Sequence, residues 1–364
     1  MENHHAAEGN PAGIYYADCI KTLTVSPALP LAVAPQAPKA AAAPEAPASL
    51  PAVDVPLASL HAALDGWFRS NARDLPWRNP DCSPWGVLVS EIMLQQTPVV
   101  RVLPVWEEWL RRWPAPADLA REPAGEAVRA WGRLGYPRRA LRLHAAAVAI
   151  GESHVGAVPA TYAELLGLPG VGSYTAAAVA AFAHGRRETV VDTNIRRVQA
   201  RLFDGAALPS PSLTAAEMRL AAEVLPVDVG ASVRWNASVM ELGALVCTAR
   251  APKCGACPVS GACAWLAAGE PPPTYTPKGQ SWHGTDRQVR GAVLAVLRVA
   301  DAPVPLELFQ RAPADLGFEP DGIAVPLAAL HQLDAAPEQL DRALAGLLSD
   351  GLAELHPGGL RLPA

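Results

Sequence analysis

The chain has 364 residues, half of them hydrophobic, and carries 35 Asp and Glu against 30 Lys and Arg for a formal net charge of −5. That length supports two compact units with cores of their own, while no apolar stretch reaches the roughly 18 residues a membrane span requires. The polar start Met1–Asn10 lacks an apolar signal region, so composition points to a cytoplasmic protein.

Residues 1–56 are low in complexity, and from Pro27 to Pro56 they are mostly Ala and Pro. Proline removes backbone donors and alanine offers little area to bury, so a disordered tail is expected. From Leu57 to about residue 268 the apolar spacing is helical. Leu60, Leu64, Trp67 and Phe68 recur at steps of three and four, and Leu141–Ile150 and Tyr174–Phe182 follow suit. No convincing alternating strand interrupts this region, which is expected to be all-α with about ten helices.

Within it, Glu91 lies in the otherwise apolar helical segment Val89–Leu94. A carboxyl buried there acquires a raised pKa and makes a good general acid near neutral pH; the plainer reading is a buried Glu paired with an arginine. Arginines come in groups, at Arg111–Arg112, Arg138–Arg139–Arg142, Arg186–Arg187 and Arg196–Arg197–Arg201. Such groups serve phosphate contacts or solvated helix faces, and a local patch suffices for DNA despite the net negative charge. Between two helical segments, Leu168-Pro169-Gly170-Val171-Gly172 can turn tightly. It presents N–H groups and a helix N-terminus to a phosphate. Asp192, ahead of Thr193-Asn194-Ile195-Arg196, has the setting of a helix N-cap and is also a candidate second carboxylate.

Four of the six cysteines, Cys247, Cys254, Cys257 and Cys263, form the pattern C-x6-C-x2-C-x5-C. Four thiolates this close can enclose zinc or a [4Fe–4S] cluster, and three unequal gaps with one short pair favour the cluster. Residues 269–282, with three consecutive prolines, read as a linker. In 283–364, helices are expected at Asp286–Leu297, Pro303–Leu308 and Pro337–Leu348. A hairpin follows at Gly351–Leu355 and Gly358–Leu362, the order of a small winged-helix-like module.

Taken in order, Leu75-Pro76-Trp77-Arg78, Ser90–Thr97, Leu134-Gly135-Tyr136, Leu168–Gly172, Asp192-Thr193-Asn194 and Glu241–Cys247 resemble the adenine DNA glycosylases of the MutY type. These lie within the endonuclease III, or helix-hairpin-helix, superfamily, and the resemblance covers roughly residues 57–268. It implies a two-lobed α-helical fold with DNA in the cleft and a [4Fe–4S] cluster on the four cysteines. Adenine mispaired with 8-oxoguanine or guanine in double-stranded DNA would be flipped out and removed by hydrolysis. Glu91 would protonate adenine at N7 and later serve the attacking water, and Asp192 would stabilise the cationic sugar. Tyr174 and Asn194 would hold these groups, and Gln96 would fill the vacated stack. Trp77, Arg78, Leu94 and Tyr136 would contact the base or the DNA, and Gly170 and Gly172 would hold phosphate. Tyr174 stands where bifunctional relatives carry a Schiff-base lysine, so monofunctional chemistry is implied. A monomer is expected, nucleoid-associated if bacterial.

The sequence departs from the family at Thr193, where a Gly is usual, at Ala237, where many relatives carry Glu or Gln, and at Pro137, where a second Tyr is common. The stretch after residue 280 shows no Nudix-like pattern. The competing readings are a bifunctional glycosylase/lyase of the same superfamily and a non-catalytic iron–sulfur DNA-binding protein.

Overall fold

Residues 55–276, 279, 281–311 and 322–364 are described by the computed structural model. The Ala/Pro-rich tail expectation falls almost wholly on residues 1–54, outside the described residues. Twelve α-helices run from Leu57 to Ala267. They are α1 Leu57–Asn71, α2 Pro84–Leu94, α3 Val99–Arg112, α4 Pro116–Ala120, α5 Ala124–Trp131, α6 Arg138–Ser153, α7 Tyr162–Leu166, α8 Ser173–Phe182, α9 Thr193–Leu202, α10 Ala215–Glu223, α11 Val229–Leu245 and α12 Ala264–Ala267. The count exceeds the ten or so expected because α4, α7 and α12 are single turns, too short to display a period.

Local chemistry sets the starts. The Ser83 hydroxyl caps α2 through the Gly86 N–H, and Pro84 opens the helix. Thr214 and Glu217 form a reciprocal capping box at α10, and Asp228 caps α11 through the Ala231 N–H.

Two apolar cores result. One gathers Trp85, Leu88, Trp109, Trp131 and Leu143 from α2–α6; the other gathers Leu60, Leu64, Ile195, Trp235 and Leu242 from α1, α9 and α11. Helix α8 separates them. Its Ala176, Val179 and Ala180 belong to the first core, its Ala177, Ala178 and Ala181 to the second. A helix buried on both faces has no polar stripe, and small side chains let its neighbours come close. The two-lobed arrangement therefore hangs on α8, which brings Tyr174 to the divide.

After residue 281 come α13 Asp286–Val299, α14 Glu307–Gln310, α15 Ala324–His331 and α16 Pro337–Ser349. The antiparallel pair β1 Glu354–His356 and β2 Gly359–Arg361 follows. Among the described residues four helices precede the hairpin where three were expected. The missed one, α15, is apolar nearly all round and holds Pro326, so it shows no stripe to read. Val304 pairs with Leu360 through two 2.8 Å backbone bonds and adds a third extended segment to the hairpin. This module shares the first core: Val289, Val293 and Leu297 of α13 and Leu340, Leu344 and Leu347 of α16 join the cluster of Trp109 and Trp131. Among the described residues, no helix is long and apolar enough to cross a membrane.

Candidate active site and cluster loop

A cavity of about 1180 Å³ opens between the two cores, and side chains from both line it. It brings together Trp77, Arg78, Glu91, Leu94, Gln96, Tyr174, Asp192 and Asn194, drawn from segments more than a hundred residues apart. Tyr136, Gly170 and Gly172 lie outside this lining.

Glu91 sits on α2, where nine of eleven residues are buried, and is itself 6 % exposed. Its partner is no arginine: the Tyr174 hydroxyl donates to Oε2 at 2.8 Å. Burial pushes the Glu91 carboxyl up to about 7; the Tyr174 bond opposes this, the Asp192 charge adds to it, and the Arg78 charge opposes it. Burial and the two carboxylates also hold the Tyr174 hydroxyl well above the usual phenol value.

Asp192 caps its helix and also lines the cavity. Oδ1 caps α9 by accepting from the Ile195 N–H at 2.7 Å, and Oδ2 accepts from Asn194 Nδ2 at 2.9 Å. Burial raises its pKa, and these bonds pull the other way by favouring the ionised form. Gly243 on α11 makes the arrangement possible. A Cβ there would stand 2.7 Å from Asn194 Cβ, so only glycine lets α11 come this near to α9.

Behind the lining residues Arg73 and Arg78 lies Glu241, fully buried and absent from the sequence-derived candidates. It accepts from Arg73 Nε, Nη2 and backbone N at 2.8, 2.7 and 2.9 Å, and from Arg78 Nη2 at 2.8 Å. Burial alone would raise its pKa; the two guanidiniums overcome that and hold it at about 2. Its signal was the one that exposed Glu91, a carboxylate inside an apolar helix. Arg73, five residues before Arg78, was missed with it.

At the rim, Gln96 is exposed in the left-handed region at φ 56°, and Tyr136, 46 % exposed, at φ 47°. The Arg139 guanidinium lies 4.5 Å over the Tyr136 ring and also donates to the Gln95 carbonyl. In the hairpin between α7 and α8 the two glycines differ. Gly170 has φ 77°, and a Cβ there would meet Arg142 Cβ at 2.5 Å. Gly172 is extended at φ −95° with open space beside it, so the expectation that both serve the tight turn holds only for Gly170.

The run Arg196, Arg197 and Arg201 corrects the expectation of a phosphate-facing or solvated surface. Arg196 pairs with Glu217 at 2.9 Å. Arg197 donates to Cys247 O at 2.8 Å, to Gly243 O at 2.6 Å and to Asn194 Oδ1 at 2.8 Å. A hydrogen-bonded chain thus runs from the cysteine loop to Asp192. Arg201 donates to Cys247 Sγ at 3.3 Å and to Thr248 O at 2.8 Å, and its guanidinium stacks 4.9 Å from the Trp265 ring. Arg187 likewise turns to the Pro226 and Leu225 carbonyls.

The four cysteines follow α11 through two 3-10 turns to the start of α12. Burial, and then the negative charges of Cys247, Cys263 and Cys254, push the Cys257 thiol up to about 11. Thiolates gathered along one short loop repel one another, and a cationic centre between them relieves that repulsion. One short C-x2-C pair flanked by gaps of six and five residues suits a multi-iron cluster better than the paired knuckles of a zinc site.

The family model described as the HhH-GPD superfamily base excision DNA repair protein matches residues 89–223, and that of the iron-sulfur binding domain of endonuclease III matches residues 247–263. An adenine DNA glycosylase of Mycobacterium tuberculosis is 47 % identical over 304 residues, covering 83 % of this chain and 92 % of its own length. The chain belongs to the adenine DNA glycosylases. A second adenine DNA glycosylase, from Mycolicibacterium smegmatis, is 48 % identical over 293 residues, 80 % of this chain and 92 % of its own. Among solved structures, a thermostable thymine-DNA glycosylase superposes with a TM-score of 0.53 at 28 % identity, covering 58 % of this chain and 97 % of that one. As an adenine DNA glycosylase the protein binds DNA, breaks the N-glycosyl bond of adenine and carries a [4Fe–4S] cluster. Tyr174 offers no amine for a Schiff base, consistent with a monofunctional glycosylase.

Proposed function

We propose that this glycosylase removes adenine mispaired with 8-oxoguanine or guanine, acting as a monomer on a base flipped into the cavity. The observation that carries the mechanism is the arrangement of Glu91, Tyr174 and Asp192, a carboxyl protonated near neutral pH beside a second carboxylate. Glu91 protonates the leaving adenine at N7 and, once ionised, takes a proton from the attacking water. Asp192, fixed by Ile195 and Asn194, faces the oxocarbenium-like sugar and stabilises its charge. Tyr174 aims Glu91. Trp77, Arg78 and Leu94 bound the base, and Gln96 and Tyr136 enter the opened stack. Gly170 makes the turn, and the backbone at Gly172, open at the start of α8, takes a phosphate. Cys247, Cys254, Cys257 and Cys263 hold the cluster, which serves to shape this loop. The site of action is the cytoplasm, at the nucleoid in a bacterial cell.

The test is single-turnover adenine release from duplexes carrying A:8-oxoguanine, A:G or A:T. Release from the first two only, lost in Glu91→Gln and in Asp192→Asn, is expected. Equal rates on A:T, or wild-type rates in both variants, would overturn the reading. Borohydride trapping of a protein–DNA cross-link would restore the lyase alternative.

A further inference from the structure

The C-terminal module of α13–α16 and the hairpin does not touch the cavity, yet it is tied to one particular part of the catalytic lobe. Gly125 N, in α5, donates to Pro363 O at 2.8 Å, and a Cβ on Gly125 would stand 2.4 Å from that oxygen. Arg298 Nε donates to Val128 O at 3.0 Å, and Arg129 donates to the carbonyls of Arg298 and Ala300. Arg298 is buried deeply enough that its pKa falls to about 10. At the start of α6, Arg138 Nη1 lies 3.2 Å from Asp350 Oδ1, and Asp350 is also paired with Arg290 inside the module.

Helices α5 and α6 flank the loop Gly132–Pro137. That loop carries Tyr136 and holds the segment of Gln96 in place. The Leu134 carbonyl accepts from Thr97 Oγ1 at 3.3 Å, the Arg133 carbonyl accepts from Arg101, and Arg139 reaches the Gln95 carbonyl. A continuous set of contacts therefore runs from Asp350 through Arg138 and Arg139 to the Gln96 turn.

The module is ill suited to grip DNA itself. Residues 283–364 hold six Arg and no Lys against eleven Asp and Glu. Helix α16, which precedes the hairpin as a groove-reading helix would, exposes Glu338 and Asp341, and its exposed Arg342 is paired with Asp286 at 3.3 Å. Carboxylates on that face repel phosphate.

We infer that the C-terminal module is a buttress that sets the Gln96–Tyr136 wedge for prying adenine from its pair, with Asp350 as the positioning residue. The inference rests on the wedge role proposed for Gln96. Extruding a paired base demands an accurately placed wedge, and a misplacement of an ångström costs large factors in rate. A base with no partner demands much less.

The test uses the full-length, cluster-loaded protein and single-turnover adenine release from two duplexes, one with A:G and one with adenine opposite a tetrahydrofuran abasic analogue. Asp350→Ala is expected to slow the A:G reaction by roughly tenfold and the abasic reaction by less than about twofold. Asp350→Glu should restore most of the loss. Arg138→Gln, which leaves Arg290–Asp350 intact, should reproduce the split if Asp350→Ala folds poorly. Equal slowing on both duplexes, or none, overturns the inference. Gln96→Ala separates the two layers: if it leaves the A:G rate unchanged, the wedge reading itself fails, whatever Asp350 does.

Discussion

Burial holds the Glu91 carboxyl at about 7, against an ordinary value of 4.5. Between those two values the folded protein binds the proton that the unfolded chain releases. Stability contributed by protonated Glu91 is full below about pH 4.5 and lost as pH rises through about 7. The loss amounts to about 3 kcal/mol, at about 1.4 kcal/mol per unit. Glu91→Gln, permanently uncharged, is expected to abolish adenine release while raising Tm at pH 8 by several degrees and at pH 5 much less; a Tm gain independent of pH would contradict the burial argument. Tyr174→Phe removes a donor that favours ionised Glu91, so its pKa should climb further. The alkaline limb of the single-turnover rate profile should then move to higher pH, and a limb that moved down would refute the assigned role of the hydroxyl. Glu91 was legible because a carboxylate among Val, Leu, Ile and Met has a burial penalty that some partner must relieve. Glu241 gave the same signal and its partners did not. Arg73 and Arg78 lie 168 and 163 residues away along the chain, a separation no local pattern spans.

Among the elements, the α7–α8 hairpin offers a clean separation of turn from ligand. Gly170→Ala meets both a left-handed φ and the Arg142 side chain, and should cost about 1–3 kcal/mol in urea unfolding. Gly172→Ala meets neither. It should leave the urea midpoint unchanged and weaken duplex binding measured by fluorescence anisotropy, because the new methyl stands where a phosphate would approach. Equal effects of the two substitutions would show that Gly172 has no ligand role. Most longer helices were readable from period, proline and cap. Single turns such as α4 and α7 were not, since four or five residues hold little more than one period, and α15 was hidden by being apolar on every side. The inward course of Arg197 and Arg201 was also unreadable. A helical arginine reads as surface until the carbonyls of Gly243, Cys247 and Thr248 are seen to receive it.

For the whole molecule, the shared core of lobe and module implies shared unfolding. Leu297→Ala, far from the cavity lining, removes a fully enclosed side chain and should cost about 2–5 kcal/mol. Calorimetry should show the transition containing the first core shift as one unit; a separate low-temperature transition for the module would contradict it. The linker composition at 269–282 suggested independence, and what it could not convey was Leu297 packing into the same core as Trp131. A last consequence concerns time rather than energy. Gln96 and Tyr136 are already held in left-handed backbone before any DNA arrives, a conformation worth about 1–3 kcal/mol of strain that the fold has absorbed. A protein moving along a genome must sample a great many undamaged pairs for each lesion. On the wedge role proposed above, such a protein meets each pair without first rearranging that turn, and the interval spent on an intact pair is then set by the DNA's own breathing.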